Sequence, residues 1–168
     1  GLVDINEFMT FWSAEGLVGH WDGYVDDQNN FWFYVDPADG LIRFIPWGTD
    51  DTWGRGNQLP FRSGDAVHCE AIVPRAALPR RLFEMPSMRA LYLTELQRQL
   101  DDVFDEAQVH AEIDRIETLI FPYTGDITGL LAPIRTFVDA HRALVQAEID
   151  TPPAGFTSQP NHFCVLNP

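Results

Sequence analysis

Five polar residues flank one short apolar stretch. Asp22, Asn29 and Asn30 precede it, and Asp50 and Asp51 follow it. All five offer hard oxygen donors, the kind that magnesium takes as one or two carboxylates completed by phosphate oxygens and water. Phosphoryl transfer needs few protein parts. They are a carboxylate near the attacking hydroxyl, a metal-binding Asn, a metal-binding Asp, and cations on the phosphates. In that chemistry Asn30 and Asp50 would hold the ion that carries the nucleotide phosphates. Asp22 would orient the acceptor hydroxyl and take its proton. Each of these residues taken singly is also ordinary turn chemistry.

The elements around them decide whether they can meet. Asp4 to Gly19 has apolar residues at Ile5, Phe8, Met9, Trp12, Leu17 and Val18, which is helical spacing. Asp4 and Glu7 read as its capping box. His20 to Asn30 is polar and broken by glycine, hence a loop. Phe31 to Val35 and Leu41 to Ile45 read as strands around the turn Asp36-Pro37-Ala38-Asp39-Gly40, which makes a hairpin. A hairpin holds its two ends side by side, so an Asn entering the first strand and an Asp leaving the second can reach one ion. Downstream the spacing predicts helices. One spans Leu78 to Met85, and a second, capped by Ser87, runs to about Phe104. A third, capped by Asp105, runs up to Pro122, and the last has Pro133 in its first turn. The expected inward residues are Leu91, Leu93, Leu96, Leu100 and Val103, then Val109, Ile113, Ile116, Leu119 and Ile120. In the last helix they are Ile134, Phe137, Val138, Leu144, Val145 and Ile149. The reading is one α+β domain over residues 1–150, a β-hairpin with a mainly helical bundle. Residues 151–168, rich in Pro, Gly, Ser and Asn, form a tail or linker.

The order of parts is that of the protein kinases, with three departures. Trp21 stands where H-R-D has Arg, and Asn30 lies eight positions after Asp22 rather than five. The step after the second strand reads Asp50-Asp51-Thr52, without Phe-Gly. The run from His20 to Trp53 resembles the core of the CotH kinase family, the spore-coat-type atypical kinases. Its W-D-x-Y loop at Trp21 to Tyr24, its N-N-aromatic strand at Asn29 to Phe31, its D-P-x-x-G turn at Asp36 to Gly40 and its F-x-P-W-x-x-D motif at Phe44 to Asp50 carry the likeness. Residues 81–120 and 134–145 are similar to the family's helical segments, so the resemblance covers roughly 4–150.

The resemblance implies a kinase-like C-terminal lobe that uses ATP with magnesium or manganese to phosphorylate Ser or Thr of protein substrates. It makes Asp22 the catalytic-loop Asp, Asn30 a metal ligand and Asp50 the metal-binding Asp, with Asn29 and Asp51 as the adjacent alternatives. Many relatives have Asp where this chain has Gly48, and Asp51 is the residue to compensate. The resemblance also implies an exported or cell-surface bacterial protein. The chain opens on Gly1 rather than Met, which reads as a cut inside a longer gene product. The nucleotide-covering loop, the phosphate-binding Lys and any targeting signal are expected upstream of residue 1. By itself the chain is then expected to transfer phosphate poorly or not at all.

Composition narrows the classes. The 168 residues carry a net charge of −14, which argues against nucleic acid and anionic membrane surfaces as partners. The acidity suits a binder of divalent cations or basic partners, and equally a protein that is only kept soluble by it. All cations are Arg, so no mechanism can use a Lys of this chain. No apolar run approaches the roughly 20 residues that cross a bilayer. Cys69 and Cys164 are the only cysteines and are not spaced as a zinc site. Cys69 reads as a buried thiol, or as a disulfide partner of Cys164 on export. His68, His110 and His141 read as structural or surface residues. Arg55 and Arg62 read as phosphate contacts or solvated surface. Ser63-Gly64-Asp65 is not a nucleophile elbow. Trp32, Trp47, Trp53 and Phe31 read as packing aromatics or a sugar-stacking face.

Two further readings compete with the phosphotransferase. One is a non-catalytic pseudokinase or surface and coat scaffold. The other is a calcium-stabilised binding domain using Asp22, Asp26, Asp27 and Asp50, whose spacing does not match the twelve-residue EF-hand loop.

Overall fold

The computed structural model of the chain describes residues 1–53 and 76–152. Arg55, Arg62, Ser63, His68, Cys69 and Cys164 lie outside the described residues. Helix α1 (Ile5–Val18) is followed by strands β1 (Phe31–Val35) and β2 (Ile42–Pro46) and a single 3-10 turn (Thr49–Asp51). Then come helices α2 (Ala77–Glu84), α3 (Pro86–Asp102), α4 (Glu106–Thr124) and α5 (Thr128–Asp150). The described architecture is α+β and mostly helical, with one two-stranded antiparallel sheet. Among the described residues no helix is long and apolar enough to cross a membrane.

α1 starts where Asp4 Oδ1 accepts the Glu7 N–H at 3.2 Å. The expected reciprocal bond from Glu7 is not made. The Asp4 N–H donates to the Ile42 carbonyl instead, and Glu7 Oε2 accepts the Phe44 N–H at 3.4 Å. A bridge from Val3 to Ile42 completes this seam. The start of α1 is therefore stitched to β2, and tertiary pairing displaces half of the local cap. α1 ends on Gly19, in the left-handed region at φ 63, with its N–H and that of His20 returning to the last turn. That paired return is the Schellman ending for which glycine is suited.

α1 is covered on two sides. Toward the bundle, Trp12 stacks on Tyr92 with ring centroids 3.7 Å apart and meets the Phe83 ring edge-on. Toward the hairpin, Phe8 packs against Phe44 at 5.0 Å and Tyr24 at 6.1 Å. The hairpin pairs Phe31 with Pro46 through Val35 with Ile42, so Phe44 points inward opposite Phe33. Arg43 closes the turn end by a two-pronged bond to Asp39, with Asp36 also at 2.8 Å.

The bundle differs in detail from the periodic reading. In α3 the buried stripe is Tyr92, Leu96, Gln99 and Leu100; Leu91 and Leu93 are half-buried and Val103 is exposed. Tyr92 takes the inward place because Trp12 offers it a flat ring. Ser87 does not cap α3, which begins with Pro86 after Met85. Pro has no N–H to satisfy at a first position. Asp105 does cap α4, accepting the Gln108 N–H at 3.0 Å. α4 runs through Pro122 to Thr124, and α5 begins at Thr128, so Pro133 lies inside α5 rather than in its first turn. Asp126 makes the earlier start by accepting the Thr128 N–H at 2.9 Å. In α4 only Ile113 is buried, while Ile116 and Leu119 are exposed. Val138 and Val145 of α5 are buried, and Leu144 is exposed. Arg142 ties the ends of α3 and α5 together, donating to the Leu100 and Phe104 carbonyls and to Glu106.

Truncating the centre should cost far more than removing a cap. Leu96→Ala is expected to lose about 2–5 kcal/mol, and Asp105→Ala about 1 kcal/mol. Urea unfolding of the two variants measures the difference.

Candidate functional site

The polar loop leaves Gly19 and folds back under the hairpin. Its fixed point is a carboxylate from another element. Glu15 of α1 is buried, and its two oxygens accept the N–H groups of Tyr24 at 3.1 Å and Val25 at 3.0 Å. His20 is buried beside it, with Nδ1 3.7 Å from Glu15 Oε1. The other ring nitrogen, Nε2, lies 3.3 Å from the Gly48 carbonyl and donates to it when protonated. The ring thus joins the loop after α1 to the segment after β2. Gly23 makes the crossing possible, since a Cβ there would stand 2.5 Å from Glu15 Oε1 and 2.8 Å from His20 Nδ1.

Above this clamp the predicted residues come together in part. Asp22 is half-buried. Its Oδ1 accepts from the Asn29 side-chain amide at 3.2 Å and its Oδ2 from the Asn30 amide at 2.5 Å. Asn30 has a positive φ of 38, a conformation Asn tolerates better than most residues. Its carbonyl accepts the Trp47 N–H at 3.0 Å, closing the base of the hairpin. Gly48 follows at φ 57, and a Cβ on it would stand 2.8 Å from both Cγ and Oδ1 of Asn30. So the end of β2 and the start of β1 lie against each other at the Asn30 side chain.

Asp50 is exposed on the 3-10 turn two residues beyond Gly48, and no described hydrogen bond joins it to Asp22 or Asn30. The side chain of Asp51 lies outside what the structure describes. Among the described residues no three His, Cys, Asp or Glu side chains are gathered so as to hold an ion. The donor chemistry is nonetheless that of a magnesium site completed by a phosphate ligand, which needs only one or two protein carboxylates. With its nitrogen committed to Asp22, the Asn30 amide has its oxygen left as the acceptor.

Three of the other aromatics and one histidine have clear places. Trp32 and Trp47 meet edge-on at 6.4 Å on the outer face of the hairpin, about 60% exposed. Trp53 packs on Phe104 and Phe137. His141 is buried in α5 against Phe137, bonded to the Gly16 carbonyl, and burial pulls its pKa down to about 4.

Glu15 and Gly23 are the residues that sequence reasoning missed. A signal was present for Glu15. It falls one helical turn after Phe11 and Trp12, on the buried stripe of α1, where an unpaired carboxylate would be costly.

With this geometry described, the class is an α+β chain whose Asp–Asn cluster sits at the open end of a hairpin, and comparison with known proteins gives the family. The family model described as CotH kinase protein matches residues 1–129. The chain belongs to the CotH family. It is 25% identical over 122 residues to invasin CotH7 of the fungus Rhizopus delemar, covering 71% of this chain and 20% of that protein. It is 26% identical over 107 residues to spore coat protein homolog 1 of the same fungus, covering 62% and 18%. The chain thus spans about a fifth of the length of these curated relatives.

Two expectations follow. Burial pulls the His20 pKa down, but Glu15, the Gly48 carbonyl and Asp22 outweigh it and leave the pKa raised above its ordinary 6.5. The protonated ring therefore stabilises the fold fully below 6.5, and that stability is lost as pH rises through the raised value. His141 acts oppositely, and only as pH falls below 6.5. The stability difference between wild type and His20→Gln should accordingly shrink from about pH 6 to about pH 8, as thermal unfolding at each pH would show. Separately, Gly48→Ala should destabilise by about 1–2 kcal/mol from the left-handed backbone alone. It should also disturb the Asn30 amide resonances in an NMR spectrum.

Proposed function

We propose that this chain is the kinase-like C-terminal lobe of an ATP-dependent phosphotransferase that acts on Ser or Thr of protein substrates. The lobe would span residues 1–150; residues 153–168, part of the segment read from the sequence as a tail or linker, lie outside the described residues. The observation that supports this best is the cluster at the open end of the hairpin. Asp22 is held by the amides of Asn29 and Asn30, and Asn30 abuts the segment that leads to Asp50. Membership of the CotH family supports the same reading.

Each residue then has a role. Bound magnesium or manganese would neutralise charge on the transferring phosphate, held by Asn30 and Asp50 with Asp51 adjacent. Asp22 keeps lone pairs on both oxygens after accepting its two amide bonds, so it can also accept the proton of an incoming hydroxyl. The amides fix the direction in which it accepts. Asn30 would divide its side chain, its nitrogen bonded to Asp22 and its oxygen available to the ion. A phosphate-binding Lys cannot come from this chain.

The relatives' names, a spore coat protein homolog and an invasin, support a coat or surface location. Both are fungal, so they lend nothing to a bacterial origin. A second reading, a non-catalytic coat or surface scaffold, is favoured by the exposed apolar face of Trp32, Ile45 and Trp47.

The test uses the gene product that carries this chain, with ATP and magnesium or manganese, and follows ATP consumption and self-phosphorylation. Transfer should vanish with a chelator. It should fall about 10²-fold or more in Asp22→Asn, and it should be lost in Asp50→Ala. Transfer that survives Asp50→Ala moves the metal role to Asp51. A folded protein that binds no nucleotide establishes the scaffold reading instead.

A further inference from the structure

A buried carboxylate is costly unless its oxygens are satisfied. Glu15 is satisfied almost wholly by the loop that carries Asp22. Its two oxygens take the N–H groups of Tyr24 and Val25, immediately downstream of Asp22 and Gly23. The same carboxylate faces His20, immediately upstream, and His20 reaches across to the Gly48 carbonyl against which Asn30 packs. Glu15 therefore touches the loop on both sides of Asp22 and, through one ring, the segment after β2. Its own backbone is rigid. Its carbonyl accepts the N–H of His20 at the end of α1, and the helix is packed on both sides by Trp12 and Phe8. The space is filled closely enough that only glycine fits at 23.

We infer that Glu15 is the positioning residue of the site: its buried carboxylate sets the Asp22–Asn30 pair relative to Gly48 and the Asp50 turn. The inference rests on the proposed phosphotransfer for its rate consequence, but not for its structural one. Glu15 touches neither substrate nor metal in this role. It fixes the loop from beneath, as a bidentate acceptor of two consecutive N–H groups whose spacing a single carboxylate matches. An amide in its place has one acceptor and presents two donors, so it must leave one of those N–H groups facing another donor.

The test has an arm that needs no variant. In the full wild-type chain, hydrogen exchange at the Tyr24 and Val25 amides should be as slow as in the middle of α1. Exchange at loop rates overturns the inference. In the Glu15→Gln variant the side-chain amide protons of Asn30 should move toward the values of a free amide, while resonances of α3 to α5 stay in place. In the gene product carrying the chain, phosphate transfer should fall about 10–100-fold. Ile113→Ala, in the core far along α4, is the control for plain destabilisation, and at matched folded fraction it should keep both the Asn30 signals and the rate. Equal losses in Ile113→Ala, or unmoved Asn30 signals in Glu15→Gln, overturn the inference. Moved Asn30 signals in Glu15→Gln, together with no transfer by the wild-type gene product, uphold the anchoring by Glu15 and defeat the phosphotransfer reading.

Discussion

The structure depends on the burial of α1 from two sides at once. Most surface helices hide one stripe and leave the rest to water. Here Trp12 faces the bundle and Phe8 faces the hairpin, so the helix is the shared wall of both. A helix in that position touches both the hairpin and the bundle and sets one relative to the other. It also leaves little room for polar groups. Ser13 turns its hydroxyl back to the Met9 carbonyl at 2.8 Å, and Glu15 is satisfied by the following loop. The loop supplies the N–H groups that the buried Glu15 carboxylate accepts.

Small residues then decide what can approach what. Gly23 lies where Glu15 and His20 converge, and Gly48 where the Asn30 side chain needs space. Neither position tolerates a Cβ without displacement, and Gly48 also has a left-handed backbone. The Asp–Asn cluster is thus a product of two absent side chains as much as of the polar ones present. Placement on the rim of a hairpin, anchored below, suits a site that must present oxygens at fixed positions.

Acidity is handled differently in the bundle. Arg98 pairs with Glu95 and holds that carboxyl at about 2, while Arg135 bridges Asp114 and Glu117, and Arg142 engages Glu106. These pairs lie at or near the surface, where ion pairs contribute little each. In the hairpin Arg43 pairs in the same way with Asp36 and Asp39, while the loop cluster around Asp22 is bonded by amides.

The sequence by itself determined the elements and the family. Helical spacing, turn chemistry and the motif run from His20 to Asp50 placed α1, the hairpin and the bundle, because these signals are local and repeat along the chain. From the hairpin's paired ends it led to the expectation that Asn30 and Asp50 reach one ion; the structure joins Asn30 to Asp22, and no described hydrogen bond joins Asp50 to either. The remainder was decided by contacts between distant segments. Half of the Asp4–Glu7 cap was given up to β2, Tyr92 turned inward to meet Trp12, and α5 started at an Asx turn ahead of Pro133. Glu15 became the anchor of a loop because it lies on the buried side of its helix, where the Tyr24 and Val25 N–H groups meet it. Periodicity reports which face of a helix is apolar. It does not report that two partners will cover the helix, and that second covering is what turns a charged residue on α1 into the fixed point of the site.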